Sequence, residues 1–150
     1  MRFPLTLLLC LLSVPAMADD VIVIQALRFG SWVIPGNNSV YTVTVETNGS
    51  YSNSPELAMI TPPTEGIYDV GDLPPSSAIN SLDVTQNTPL EFSGKSFEMD
   101  DLEAISIGTT DSNGRVTVAV GATAKTTGDG GGYPSGNYTG VLDLNFDINF

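Results

Sequence analysis

The sharpest pattern of apolar and polar positions in the chain is its last one. In YTGVLDLNFDINF, residues 138–150, the apolar Leu142, Leu144, Phe146, Ile148 and Phe150 alternate with Asp143, Asn145, Asp147 and Asn149. A period of two predicts a half-buried β-strand with the even positions on its core face. Asp and Asn are poor strand formers, so burial of the even face must supply the stability. The Asp/Asn face is expected to be solvated, its charges discouraging contact with other sheets.

Shorter alternations precede it. Val40 to Glu46 should place Tyr41, Val43 and Val45 inward, with Asn48-Gly49 closing the strand. Val116, Val118 and Val120 share one face of a strand that follows the turn signal Asp111-Ser112-Asn113-Gly114. Gly121 then marks a bulge or a close approach of another backbone. Further short strands are expected at 56–60, at 66–70, and in SLDVTQ, PLEFSG and AISIG. Residues 125–136, around Gly130-Gly131-Gly132, read as a loop. Val21 to Ile24 is apolar on both faces, which predicts a strand that is central or covered by a partner. No helical period exceeds about one turn. Eight to ten short strands with regular turns predict an all-β sandwich.

The first residues change the picture of where the protein works. MRFPLTLLLCLLSVPAMA has one Arg, a Leu-rich run and a small-x-small end at Ala16-Met17-Ala18. It reads as a secretory signal peptide, residues 1–18, cut before Asp19. The run is short for a membrane span and no second one follows, so the protein is not expected to span a membrane. Cys10 lies inside the leader and no small residue precedes it, which argues against a lipoprotein anchor. One domain, residues 19–150, remains, without cysteine. Lacking disulfides, it must rely on its hydrophobic core. Without Arg2, four basic residues face seventeen acidic ones, a net charge of −13. That disfavours nucleic acid and anionic membranes as partners.

Several short motifs, taken in order, carry a family resemblance. They are Leu27-x-Phe29-Gly30, Tyr41-Thr42-Val43, Asp111-x-x-Gly114, Val118-x-Val120-Gly121 and Gly136-Asn137-Tyr138-Thr139-Gly140. The set resembles the exported bacterial domain-of-unknown-function family 4402, whose members look pilin-like, over nearly all of residues 19–150. The chain departs from the commoner pattern in having no Gly-rich stretch just after Gly30. The resemblance implies an immunoglobulin-like β-sandwich and a cell-surface or fimbrial setting, in the periplasm or on the surface of a Gram-negative bacterium; it supplies no catalytic residues.

Candidate chemistry is sparse. There is no histidine, and the only cysteine is in the leader. This removes Ser-His-Asp and Cys-His catalysis and the common zinc sites, so no enzyme, cofactor or metal is expected. Asp100-Asp101-x-Glu103 and Asp111-x-Asn113-Gly114 offer oxygen ligands for calcium, but neither has EF-hand spacing. They are read as an acidic loop and a hairpin turn. Trp32, Tyr51, Tyr68 and Tyr133 are candidates for stacking on a sugar; the competing reading has Trp32 plugging one end of the sandwich. The sequons at Asn37, Asn48 and Asn137 are read as chance. A terminal Phe after alternating apolar residues also ends outer-membrane barrels, but the chain has ten prolines and few aromatics at girdle positions.

The function expected is structural: a fimbrial or pilin-like subunit, or a surface adhesion component, assembled by β-strand addition. Its partners would be itself, other pilin-like subunits, or a periplasmic chaperone. The strand-exchange candidates are Val21, Val23, Leu27 and Phe29, one face of the segment Val21 to Phe29, with the terminal strand as the edge of the groove. The alternatives are a monomeric secreted or periplasmic module that binds a ligand such as carbohydrate, and a small outer-membrane barrel.

Overall fold

The computed structural model describes residues 2–7, as backbone, and 20–149. The cleavage motif Ala16-Met17-Ala18, the cut before Asp19, Cys10 and Phe150 lie outside the described residues. Among the described residues there are eleven strands and no helix: β1 (Arg2–Leu7), β2 (Val21–Gln25), β3 (Ser31–Val33), β4 (Thr42–Val45), β5 (Tyr51–Asn53), β6 (Ala58–Thr61), β7 (Gly66–Val70), β8 (Ile79–Phe92), β9 (Lys95–Ile107), β10 (Val116–Lys125) and β11 (Thr139–Asn149). Every pairing is antiparallel.

The fold is a curled sheet in the order β11-β8-β9-β10-β7-β2, with β1 added outside β11. The curl comes from β9. Its first residues, Lys95 to Phe97, pair with β8, and from Glu98 to Ile107 it pairs with β10. On the far side of β10, Val116 to Val120 pairs with β7 and Ala122 to Lys125 with β4, outside which lies β5. The partner changes at Gly121, where a side chain would run into the Val45 carbonyl oxygen and the Thr47 amide. A β-bulge opposite it, with Asp101 at φ 48°, turns β9. A small separate sheet pairs β3 with β6.

The curl brings two apolar layers together. Val70, Val116, Val118 and Val120 from one layer and Val84, Leu144, Phe146 and Ile148 from the other form one core cluster with Leu73. Leu142 packs against its edge. Leu144, Phe146 and Ile148 are 6%, 2% and 2% exposed, which is the burial that makes a strand of an Asp/Asn-rich segment. The opposite face of β11 is only half-buried rather than freely solvated. Strands on both sides shade it: Asn145 sits between Asp83 of β8 and Thr6 of β1.

Two strands run longer than their sequence suggests. SLDVTQ and PLEFSG are parts of one 14-residue strand, β8. Pro89 is tolerated because the ladder to β11 is irregular between Thr139 and Leu142, opposite it. AISIG is the end of a 13-residue strand, β9, which also takes up the stretch expected to be an acidic loop. Asp100 pairs with Thr123 in the ladder, and its carboxylate forms an ion pair with Lys125.

Candidate functional site

The curled sheet has edges at β2, at β5 and, outside β11, at β1, and a further strand can add at such an edge. On the opposite side β9 belongs to both layers, so the sandwich is already closed there. At the β11 end, the outer edge pairs with β1 over six residues, Arg2↔Asn149 through Leu7↔Leu144. In this register Phe3, Leu5 and Leu7 stand opposite Ile148, Phe146 and Leu144, the positions buried in the core. Pro4, which suits an edge strand because it has no N–H to offer, stands opposite Asp147.

At the other end, β2 pairs with β7 of the same chain and, among the described residues, with no second strand. Its position is fixed by several bonds. The Asp20 carbonyl accepts from Gly71 N at 2.8 Å, Gln25 Nε2 donates to the Glu65 carbonyl at 2.9 Å, and Leu27 N donates to the Tyr68 hydroxyl at 3.2 Å. Arg115 pairs with Asp20 and, at 2.9 Å, with Asp69. These hydrogen-bonded carboxylates raise the Arg115 pKa.

The strand-exchange candidates therefore do not form one inward row. Val21 and Leu27 pack against the core cluster, while Val23 is 55% exposed. Phe29 is half-buried, and its carbonyl accepts a hydrogen bond from Trp32 Nε1. A register shift between Val23 and Gln25 breaks the alternation. Ile22 and Ile24 are 51% and 60% exposed. The apolarity of Val21 to Ile24 on both faces thus belongs to an edge strand that, among the described residues, pairs with β7 alone and leaves Ile22, Val23 and Ile24 exposed, not to a central one.

Two of the calcium-type acids, Asp100 and Asp111, are engaged otherwise, Asp100 with Lys125. Asp111 Oδ1 accepts from Asn113 N at 2.8 Å and Arg115 N at 2.9 Å. These backbone hydrogen bonds hold its carboxyl below the ordinary range, with help from the nearby Arg115 charge. Gly114, at φ 73° in the same turn, has no room for a side chain against the Leu73 carbonyl. Among the described residues, no three acidic, cysteine or histidine side chains come together as metal ligands would.

The sugar-stacking candidates are not brought together. Trp32 lies in β3, Tyr51 in edge strand β5, and Tyr68 in β7 against the core. Only Tyr133, among the described residues, joins an aromatic cluster. It stacks on Phe97 at 4.4 Å, and Tyr138 meets Phe97 and Phe92 edge-on at 4.8 and 5.6 Å. The Tyr133 hydroxyl donates to the Ser96 carbonyl and accepts from Thr127 N. The cluster therefore ties the glycine loop to the β8–β9 hairpin.

Asn37 locks the same loop from the other side, and no periodic pattern in the sequence announces it. It is 2% exposed. Its Nδ2 lies 2.8 Å from Thr127 Oγ1, 2.8 Å from Asp129 Oδ1 and 3.0 Å from the Gly131 carbonyl, and its Oδ1 accepts from Gly128 N. Gly131 N, more than any other group, lowers the Asp129 pKa, followed by Lys95.

No curated protein and no solved structure matches the chain. A family model, described as Domain of unknown function (DUF4402), matches residues 20–147. With the match running from the start of β2 nearly to the end of β11, the chain belongs to the DUF4402 family.

Proposed function

We propose that this protein is an exported structural protein of the bacterial cell surface, a pilin-like or fimbrial subunit that assembles by β-strand addition. Its partners are then other copies of itself or other pilin-like subunits, with a periplasmic chaperone as a temporary occupant of the open edge. The observation that carries this reading is the outer edge of β11, which pairs with a strand from a remote part of the chain along six residues. An edge of that length is a template for main-chain hydrogen bonds from a further strand. The exposed Ile22, Val23 and Ile24 on β2 add apolar surface at the other end of the sheet. The apolar residues of β11 face an internal core, whereas a membrane barrel turns its apolar band outward, so the subunit reading is preferred to the barrel.

Velocity sedimentation of the chain beginning at Asp19, over a wide concentration range, tests the reading. Concentration-dependent oligomers support it. A monomer at every concentration that also takes up no strand-forming peptide contradicts it and favours a lone binding module.

A further inference from the structure

We propose that Arg2–Leu7 acts as a placeholder strand, capping the β11 edge within the uncut chain so that removal of the leader is what opens the edge for assembly. The proposal rests on the strand-addition reading and names what regulates that site.

Three observations on the fold lead to it. The first is register. Six consecutive residues pair without a shift, whereas the ladder on the other side of β11 shifts three times. The second is pattern. The apolar Phe3, Leu5 and Leu7 fall opposite the three buried β11 residues, and Pro4 and Thr6 fall opposite Asp147 and Asn145. A slip of one residue would put the apolar set on the other face, so a segment with this alternation is what the edge selects. The third is connectivity. β2 is held to β7 in its own chain by the bonds described above, so the sandwich keeps its other end whether or not β1 is present. The ladder that removing β1 would break is the one to β11. Successive residues of an antiparallel strand bond to neighbours on alternate sides. About every second backbone N–H and C=O from Leu144 to Asn149 would lose its partner, and an incoming strand would restore it.

The test compares the uncut chain with its Leu5→Asp variant, in which a charge falls opposite Phe146. The parent is expected to sediment as a monomer at concentrations where the Leu5→Asp chain self-associates. A synthetic Arg2–Leu7 peptide with blocked ends, added to the Leu5→Asp chain, should bind saturably and return it to monomer. The same peptide carrying Leu5→Asp should bind at least about tenfold more weakly, since a tenfold change needs only about 1.4 kcal/mol. Thr6→Asp, on the other register face, should leave the uncut chain a monomer and guards against a general effect of charge. The proposal is overturned if the parent and Leu5→Asp chains associate alike, or if the two peptides bind alike. If the chain starting at Asp19 still assembles in that event, strand addition survives and only the placeholder role fails.

Discussion

Arg115, just before β10, holds Asp69 on β7 at 2.9 Å and, with the other side of the same guanidinium, Asp20 just before β2. One side chain thus joins the last strand of the curled sheet to its centre. Arg115→Met should release this end. The Arg115 and Asp69 side chains are half-buried but still reached by solvent, and ion pairs screened in this way contribute modestly to global stability, so the melting midpoint should move only slightly. Hydrogen exchange at residues 21–25 should accelerate markedly while residues 116–120 stay protected. Equal acceleration in both segments would show that Arg115 supports the core instead.

The two faces of β11 should respond differently to substitution. Phe146→Asp places a charge in the core and is expected to prevent folding or to cost more than about 4 kcal/mol. Asn145→Thr, on the half-buried outer face, should stay within about 0.5 kcal/mol. Chemical denaturation of both variants measures the contrast.

That contrast was legible in the sequence because Leu144, Phe146 and Ile148 alternate without a break, and alternation reports burial directly. The nature of β2 was less legible. Val21 to Ile24 is apolar on both faces, but only the topology tells that it is an end strand, and a bulge before Gln25 spoils the parity of Val23. The acidic run from Asp100 to Glu103 looks like a loop because strand propensity counts against Asp and Glu. The ladder to β10 and the Asp100–Lys125 pair overrule that local preference. The outer edge of β11 could be suspected from the terminal pattern. Its occupation by Arg2–Leu7 pairs residues more than 130 positions apart, and such a pairing leaves no local signal.

The glycine loop depends on Asn37. Asn37→Ala removes a buried amide that the loop backbone and Asp129 use as a partner. The expected loss is about 1–3 kcal/mol, with weaker exchange protection across residues 127–131. Asn38→Ala, an exposed neighbour, should be close to neutral.

Asp111 and Asp129 should make the protein acid-sensitive in a definable window. Backbone hydrogen bonds lower both carboxyl pKa values in the folded state. Their contribution is therefore present above the ordinary Asp value of about 4 and is lost as pH falls through the lowered folded values. The melting midpoint of an Asp111→Asn, Asp129→Asn double variant should fall less steeply than that of the parent between about pH 4 and 2. Parallel curves would mean that neither carboxylate contributes.

The outer edge of β11 carries the central claim, and hydrogen exchange resolved to single amides reads it directly. The chain beginning at Asp19 is measured as dilute monomer and again at a concentration where it has assembled. Alternate amides between Leu144 and Asn149 should exchange fast in the monomer, their neighbours bonded to β8 should exchange slowly, and assembly should protect the fast set. If every amide of that stretch is already protected in the dilute monomer, or the fast set stays fast after assembly, β11 is not where strands are added.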